Sequence, residues 1–416
     1  TIQVRGKKQE VWKKWMSQDR AVGIKYASKW ASSSNYWKNS IGMNKAIADL
    51  DVIGQKQRLE KDIRQWYSGR DDLNRRFSHV FDSLETAYAV RREAVHANGF
   101  FSETFMRGIE IYRVASMLNR TPQDVGQAQA DATREQLARF FKDYDARVDE
   151  ETMAALLQNY REQVTSRDYW PDCYEVIDKD FGGDCAAYAK NLFEKTICAR
   201  PDCLDRLLSD STLRESDPAL RYAQGIPDMM MYISRGMREP NNIINHNERM
   251  LTQALLEMDE DAPHYSDANF SMRLSYGYIQ DYTAQGRHYD YYTSSQSLLD
   301  KAAKQGEIED YRMEQDIVSL LQRGEWGRYA DHRTHDLHLC FLSNNDITGG
   351  NSGSPMFNGK GELIGLAFDG NWEAMSGDIS FDNSLQRCIG VDIRFVLFLI
   401  DKWGHADNLI RELGVR

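Results

Sequence analysis

Two hydrophobic periods divide the chain. Over residues 1–268 apolar side chains recur three and four positions apart, the spacing of one helix face. Met153, Leu156, Leu157, Tyr160 and Val164 form one such stripe, Leu137, Phe140, Phe141 and Tyr144 a second, and Ile47, Leu50 and Ile53 a third. Stripes at this period face a core, so the region reads as all-helical. Thr121-Pro122 followed by Asp124 reads as a helix start, with a capping hydroxyl and a proline in the first turn. The aromatic group Trp30, Tyr36 and Trp37 reads as a binding surface or a packed helix end, and periodicity favours packing. Segment 240–267 carries Asn241, Asn242, Asn245, His246 and Asn247 and reads as a polar connection.

Beyond about residue 270 the period falls to two. Leu337, Leu339 and Phe341 point one way, with Asp336, His338 and Cys340 between them. Asn358-Gly359-Lys360-Gly361 is a tight turn joining Ser354-Pro355-Met356-Phe357 to Leu363-Ile364-Gly365-Leu366-Ala367-Phe368, which predicts a hairpin. Residues 393–403 predict a closing helix on the sheet. The expected organisation is therefore α+β and multidomain: a helical domain over 1–268 and an antiparallel β-barrel over 269–416.

Composition removes some functions. The net charge is -11, from 52 basic and 63 acidic residues, whereas a nucleic-acid binder carries a basic balance. No apolar run approaches the roughly 20 residues of a membrane helix. The opening Thr-Ile-Gln-Val-Arg shows neither Met nor a signal-peptide pattern and reads as a cut. Of six cysteines, Cys173, Cys185, Cys198 and Cys203 lie close together, with Cys340 and Cys388 apart. One or two disulfides in that cluster would suit an exported protein. The C-x-x-C spacing of structural zinc is absent, and no metal or other cofactor is expected.

The chemistry concentrates in Thr348-Gly349-Gly350-Asn351-Ser352-Gly353-Ser354-Pro355. A serine hydroxyl becomes a nucleophile when a base lies at hydrogen-bond distance and donors face the developing oxyanion. Glycines let the backbone turn sharply enough to aim two N–H groups at one point. The pattern is that of the nucleophile turn of a chymotrypsin-like peptidase, with Ser352 attacking and the N–H groups of Gly350 and Ser352 forming the oxyanion hole. Ser354, before Pro355, reads as structural. In that arrangement the His and Asp of the triad come from a first barrel ahead of the serine, and the residues after 268 suffice for one barrel only. His332, His335 and His338 are spaced three apart. On a strand or loop that spacing does not gather them, and they read as solvated loop rather than base or metal ligands.

These residues, together with Phe368-Asp369-Gly370-Asn371-Trp372-Glu373-Ala374-Met375 and the stretch from Lys25-Tyr26-Ala27-Ser28 to Asn35-Tyr36-Trp37-Lys38, resemble the dipeptidyl-peptidase 7 and dipeptidyl-peptidase 11 family of bacterial serine exopeptidases. The C-terminal part of the resemblance begins at Asp267-Ala268-Asn269-Phe270. It implies a two-barrel catalytic domain with a large helical insert, of which this chain would be the insert and second barrel. It further implies Ser352 as nucleophile, with Asp369 and Asn35 holding the free α-amino group of an oligopeptide substrate. Gly370 would set the first specificity pocket. Members with an acidic preference carry arginine there, so a glycine implies hydrophobic or aromatic residues and a closer match to dipeptidyl-peptidase 7. A homodimer, a periplasmic or cell-surface location and a missing N-terminal half bearing His and Asp are also implied. Two other readings remain at this point. Asp369 could floor the pocket of a trypsin-like endopeptidase and select Lys or Arg, or the chain could be an inactive fragment or scaffold. Asn351 before the serine cannot form the ion pair by which trypsin-type zymogens are activated.

Overall fold

The computed structural model of the chain describes residues 1–262, 271–304 and 311–415. They form two compact units. One comprises Thr1–Ile41 and the described residues from Lys56 to 262, and the other comprises Gly42–Gln55 and the described residues from 271 on. The boundary expected between 268 and 269, and the start of the resemblance at Asp267 to Phe270, lie outside the described residues. The helix Arg20–Asp49 begins in the first unit, and its residues from Gly42 group with the second.

Helices make up the first unit. The stripe Met153, Leu156, Leu157, Tyr160 and Val164 is buried in its main core, with Leu137 and Tyr144. The longest element, Pro218–Met258, contradicts the polar connection expected over 240–267. Its buried residues include Ala219, Ile226, Ile233, Pro240, Asn247 and Ala254, one every seven positions. This seam packs lengthwise on the helix Val80–Phe101, whose buried side chains include Leu84, Ala87, Ala94 and Ala97. The pair is antiparallel: Tyr88 bonds Glu248 and Arg91 bonds Asn241. Tertiary burial at a seven-residue period carries the helix through Pro227 and Pro240 and through the asparagines that suggested a linker.

Two smaller expectations also fail. Thr121 ends a helix rather than starting one, its hydroxyl donating to Met117 O at 3.0 Å, and the next helix begins at Gln127. The stripe Ile47, Leu50, Ile53 is broken because the helix stops at Asp49, Asp51 takes φ 49°, and Ile53 is exposed. No cysteine is paired. Cys173, Cys185, Cys198 and Cys203 sit in the main core as small apolar side chains, and burial pushes their thiols up.

The second unit carries the strands β1 (Tyr282–Ala284), β2 (Arg287–Tyr289), β3 (Tyr292–Ser294), β4 (His338–Ser343), β5 (Pro355–Phe357), β6 (Leu363–Gly370) and β7 (Cys388–Asp392). β1 and β2 form a hairpin, and the others an antiparallel sheet in the order β3-β4-β7-β6-β5. The predicted β5–β6 hairpin is present, with Pro355 opposite Leu366. Phe341 of β4 lies across Gly390 of β7 and Gly365 of β6, where a Cβ would meet its ring at 3.0 and 2.6 Å. The predicted closing helix runs through Ile393–Phe398 into Leu399–Trp403 and buries Phe398 against Trp326 and Leu339. His338, expected in a solvated loop, is instead buried on β4, stacked on Tyr292 at 3.9 Å and bonded to Thr334 Oγ1 at 2.8 Å. β4 is covered on both faces, so its alternation does not separate wet from dry.

Candidate active site

The turn before β5 is built for sharp reversal. Gly350 has φ 106° and Gly353 φ 86°, values that favour glycine. The Asn351 side chain closes the turn, its Oδ1 accepting from Thr348 N at 3.1 Å. Ser354 N returns to Asn351 O at 2.9 Å. Two further bonds tie the turn to β6: Gly353 N to Ala367 O at 2.7 Å, and Ala367 N to Ser354 O at 2.9 Å. Ser352 stands exposed at the apex, and its Oγ donates to Phe368 O at 3.2 Å. Among the described residues the N–H groups of Gly350 and Ser352 have no protein acceptor, and no histidine bonds Ser352.

Phe368 is the extra residue of a bulge. In the β6–β7 ladder Ala367 pairs with Gly390 and Asp369 with Ile389, so Phe368 has no partner. The bulge precedes both remaining candidates of this unit. Asp369 is exposed, with Oδ1 accepting from Gly370 N at 2.8 Å and Oδ2 unbonded among the described residues. Gly370 pairs with Cys388 and packs on the short helix Trp372–Ser376. A Cβ at 370 would come within 2.9 Å of the Ala374 Cβ, so the space beside the glycine is filled from that side.

The residues beneath were not foreseen. Asn371 is buried, its Oδ1 accepting from Ala374 N at 3.1 Å and Arg387 N at 2.9 Å while Nδ2 donates to Leu385 O at 2.8 Å. Arg387 is also buried, and burial pulls its guanidinium down. A sequence signal for Asn371 exists in its place after Asp369-Gly370. Arg387 carries none.

Asn35 belongs to the first unit, exposed on the helix Arg20–Asp49. Of the aromatics near it, Trp37 packs, with Nε1 on Ile2 O at 3.0 Å, while Tyr36 stays 60% exposed beneath the Arg5 guanidinium. His332 and His335 are exposed and His338 is buried, so the three do not converge. Among the described residues no helix is long and apolar enough to cross a membrane.

With an exposed serine at a glycine turn held over an antiparallel sheet, the chain belongs to the Peptidase S46 family, which matches residues 1–415. Dipeptidyl-peptidase 7 of Porphyromonas endodontalis is 41% identical over 100% of this chain and 50% of its own length. The Asp/Glu-specific dipeptidyl-peptidase of Porphyromonas gingivalis is 30% identical over 100% of this chain and 58% of its own. The crystal structure of Porphyromonas endodontalis DPP11 in complex with the dipeptide Arg-Asp matches with a TM-score of 0.86 at 27% identity, covering 99% of this chain and 59% of that one. The chain thus spans about half to three-fifths of the length of these relatives.

Proposed function

We propose that this chain is part of a serine aminodipeptidase that releases dipeptides from the free N-termini of oligopeptides. The observation that carries the reading is the bulge in β6, where the Ser352 hydroxyl bonds the carbonyl of the residue just before Asp369. A carboxylate fixed close to the nucleophile turns the enzyme into a ruler. The substrate ammonium pairs with Asp369 Oδ2 in a charge-assisted hydrogen bond, and Ser352 attacks a set distance along the peptide. The N–H groups of Gly350 and Ser352, which have no protein acceptor among the described residues, receive the oxyanion. The role of Asn35 at the amine rests on the family resemblance alone.

The base and its orienting carboxylate come from polypeptide outside these residues, on a first barrel that completes a chymotrypsin-like pair. Residues 272–278 support this reading. Met272, Leu274, Tyr276 and Tyr278 alternate in sequence and are 100%, 90%, 85% and 77% exposed. The segment is nonetheless held in place, with Ser275 Oγ on Asp346 O and Tyr278 N on Asn344 Oδ1. A fixed apolar stripe of this kind is a surface awaiting a layer. Gly370 places no cation at the first pocket, which favours a hydrophobic or aromatic residue before the cut, and the higher identity to dipeptidyl-peptidase 7 relatives agrees. Homodimer assembly and a periplasmic or cell-surface location are carried over from the resemblance.

The test uses the whole natural enzyme with a dipeptidyl reporter ending in Leu or Phe, its N-acetylated copy, and Ser352→Ala. Cleavage of the free amine only, abolished in the alanine variant, is expected. Equal cleavage of both reporters would take the amine role from Asp369 and make the enzyme an endopeptidase.

A further inference from the structure

Arg387 heads the large, fully buried side chains, at 1% exposure, and among the described residues it has no carboxylate partner. A guanidinium stays charged in a protein, and burying a charge without a direct ion pair is costly; the Asp281 and Asp382 carboxylates offset that burial only from a distance. All five of its hydrogen bonds go to main-chain carbonyls. Nε and Nη2 reach Asp281 O at 3.2 and 2.7 Å, and Nη1 reaches Asn383 O at 2.9 Å and Gln386 O at 2.8 Å. Nη2 also reaches Ser384 O at 3.2 Å. The entry to β1 and the loop before β7 are thus gathered on one planar fork.

That fork is joined to the end of β6. Asn371 N donates to Arg387 O at 3.0 Å, and Arg387 N donates back to Asn371 Oδ1 at 2.9 Å. The amide of Asn371 adds Leu385 O and Ala374 N to the same knot. Asp369 and Gly370 immediately precede Asn371, and the Arg387 carbonyl lies 3.6 Å from the point a Cβ on Gly370 would occupy. The backbone of the Ser352 turn is held by other means, through the bonds of Gly353 and Ser354 to Ala367 on the far side of the bulge, and the serine meets the bulge itself only through its hydroxyl on Phe368 O at 3.2 Å.

We propose that Arg387, acting through Asn371, is a positioning residue that sets the Asp369 carboxylate and the Gly370 pocket wall in place without positioning the nucleophile. The inference rests on the aminodipeptidase reading above. If the two sides of the bulge are held separately, disturbing the Arg387 knot weakens substrate binding and leaves the serine competent. An interaction used equally by substrate and transition state appears in KM and not in kcat.

Arg387→Lys in the whole enzyme is the first variant. One ammonium cannot span four carbonyls as a fork does. Asn371→Ala attacks the same knot from the other side. Each variant is assayed for kcat and KM on the free-amine reporter, for the rate at which a small fluorophosphonate labels Ser352, and for its thermal midpoint. KM is expected to rise by about tenfold to a hundredfold, the scale of a small misplacement, with kcat and labelling changed by no more than about twofold. Unchanged KM in both variants overturns the proposal. So does a joint fall of kcat and labelling, which marks general loosening, and so does failure of both variants to fold, which assigns Arg387 to folding alone. Failure of the aminodipeptidase reading is distinguishable, because it shows in the wild-type enzyme as equal cleavage of the acetylated reporter.

Discussion

Ser352 Oγ and the carbonyl oxygen of Phe368 lie 3.2 Å apart, and Phe368 is the residue that the β6 bulge leaves unpaired. One irregularity therefore serves two ends. It gives the resting hydroxyl an acceptor, and it shifts by one the alternation that decides which way Asp369 and Gly370 face.

The glycines of the serine turn are required by backbone angle, not by space. Nothing lies within 4 Å of a Cβ built on Gly350 or Gly353, yet both have positive φ. Gly350→Ala is expected to fold with a loss of about 1–3 kcal/mol, because φ 106° lies beyond the left-handed helical well. Its N–H should leave the oxyanion position, lowering kcat by roughly a hundredfold to a thousandfold. Stopped-time assays beside a melting curve check this, and a normal kcat would remove Gly350 from the oxyanion hole.

Asp369→Asn keeps the shape and the bond from Gly370 N but removes the charge. Loss of a charge-assisted bond to an ammonium is worth about 1.5–3 kcal/mol, so kcat/KM on the free-amine reporter should fall by roughly tenfold to a hundredfold. Fluorophosphonate labelling of Ser352 should persist. A variant that gains activity on acetylated peptides while losing none on free ones would contradict the amine role.

Gly370 and Ala374 are coupled by distance. A Cβ at 370 would stand 2.9 Å from the Ala374 Cβ, so any side chain there must move the helix Trp372–Ser376. Gly370→Ala is expected to cost about 1–3 kcal/mol, the usual range for overpacking. Gly370→Arg, the change that the resemblance ties to acidic preference, should not by itself confer cleavage after Asp or Glu, whereas Gly370→Arg with Ala374→Gly should begin to. Profiling a small dipeptidyl library with both variants decides it.

The sequence made some of this legible and hid the rest for physical reasons. Gly350 and Gly353 around Ser352, the Asn358–Gly361 turn and the closing helix could be read because each depends on local chemistry. The helix Pro218–Met258 could not, because its seam runs through Pro240 and Asn247, residues whose own preferences oppose a buried helix. Packing on Val80–Phe101 decides their state. The Phe368 bulge and the Arg387 knot were invisible because both depend on register with β7 and carry no local signature. His338 was misread for a related reason: a strand covered on both faces loses the polar alternation that marks one wet side.

The ion pair of Asp331 with Arg394 gives the second unit an acid-sensitive fastening. Asp331 Oδ2 takes Arg394 Nη1 at 2.9 Å, while Oδ1 takes the N–H groups of Arg333 and Thr334 at 2.9 and 3.2 Å. Burial pushes the Asp331 carboxyl up, but these bonds outweigh it and hold the group well below the usual carboxylate range. An acid whose folded pKa is depressed stabilises the fold fully above its unfolded value of about 3.9 and loses that contribution as the pH falls from there through the lower folded value. Asp331→Asn should therefore lower stability by about 2 kcal/mol near neutrality, the scale of a hydrogen bond to a charged partner. The gap from wild type should narrow progressively below about pH 4, as the carboxyl of the unfolded wild-type chain gains its proton while the native one is still ionised. Urea midpoints measured for both proteins from pH 7 down to pH 3 test this, since the other carboxylates titrate alike in each and cancel in the difference. A gap that stays constant over that range would mean that Asp331 holds the turn before β4 by its shape rather than its charge.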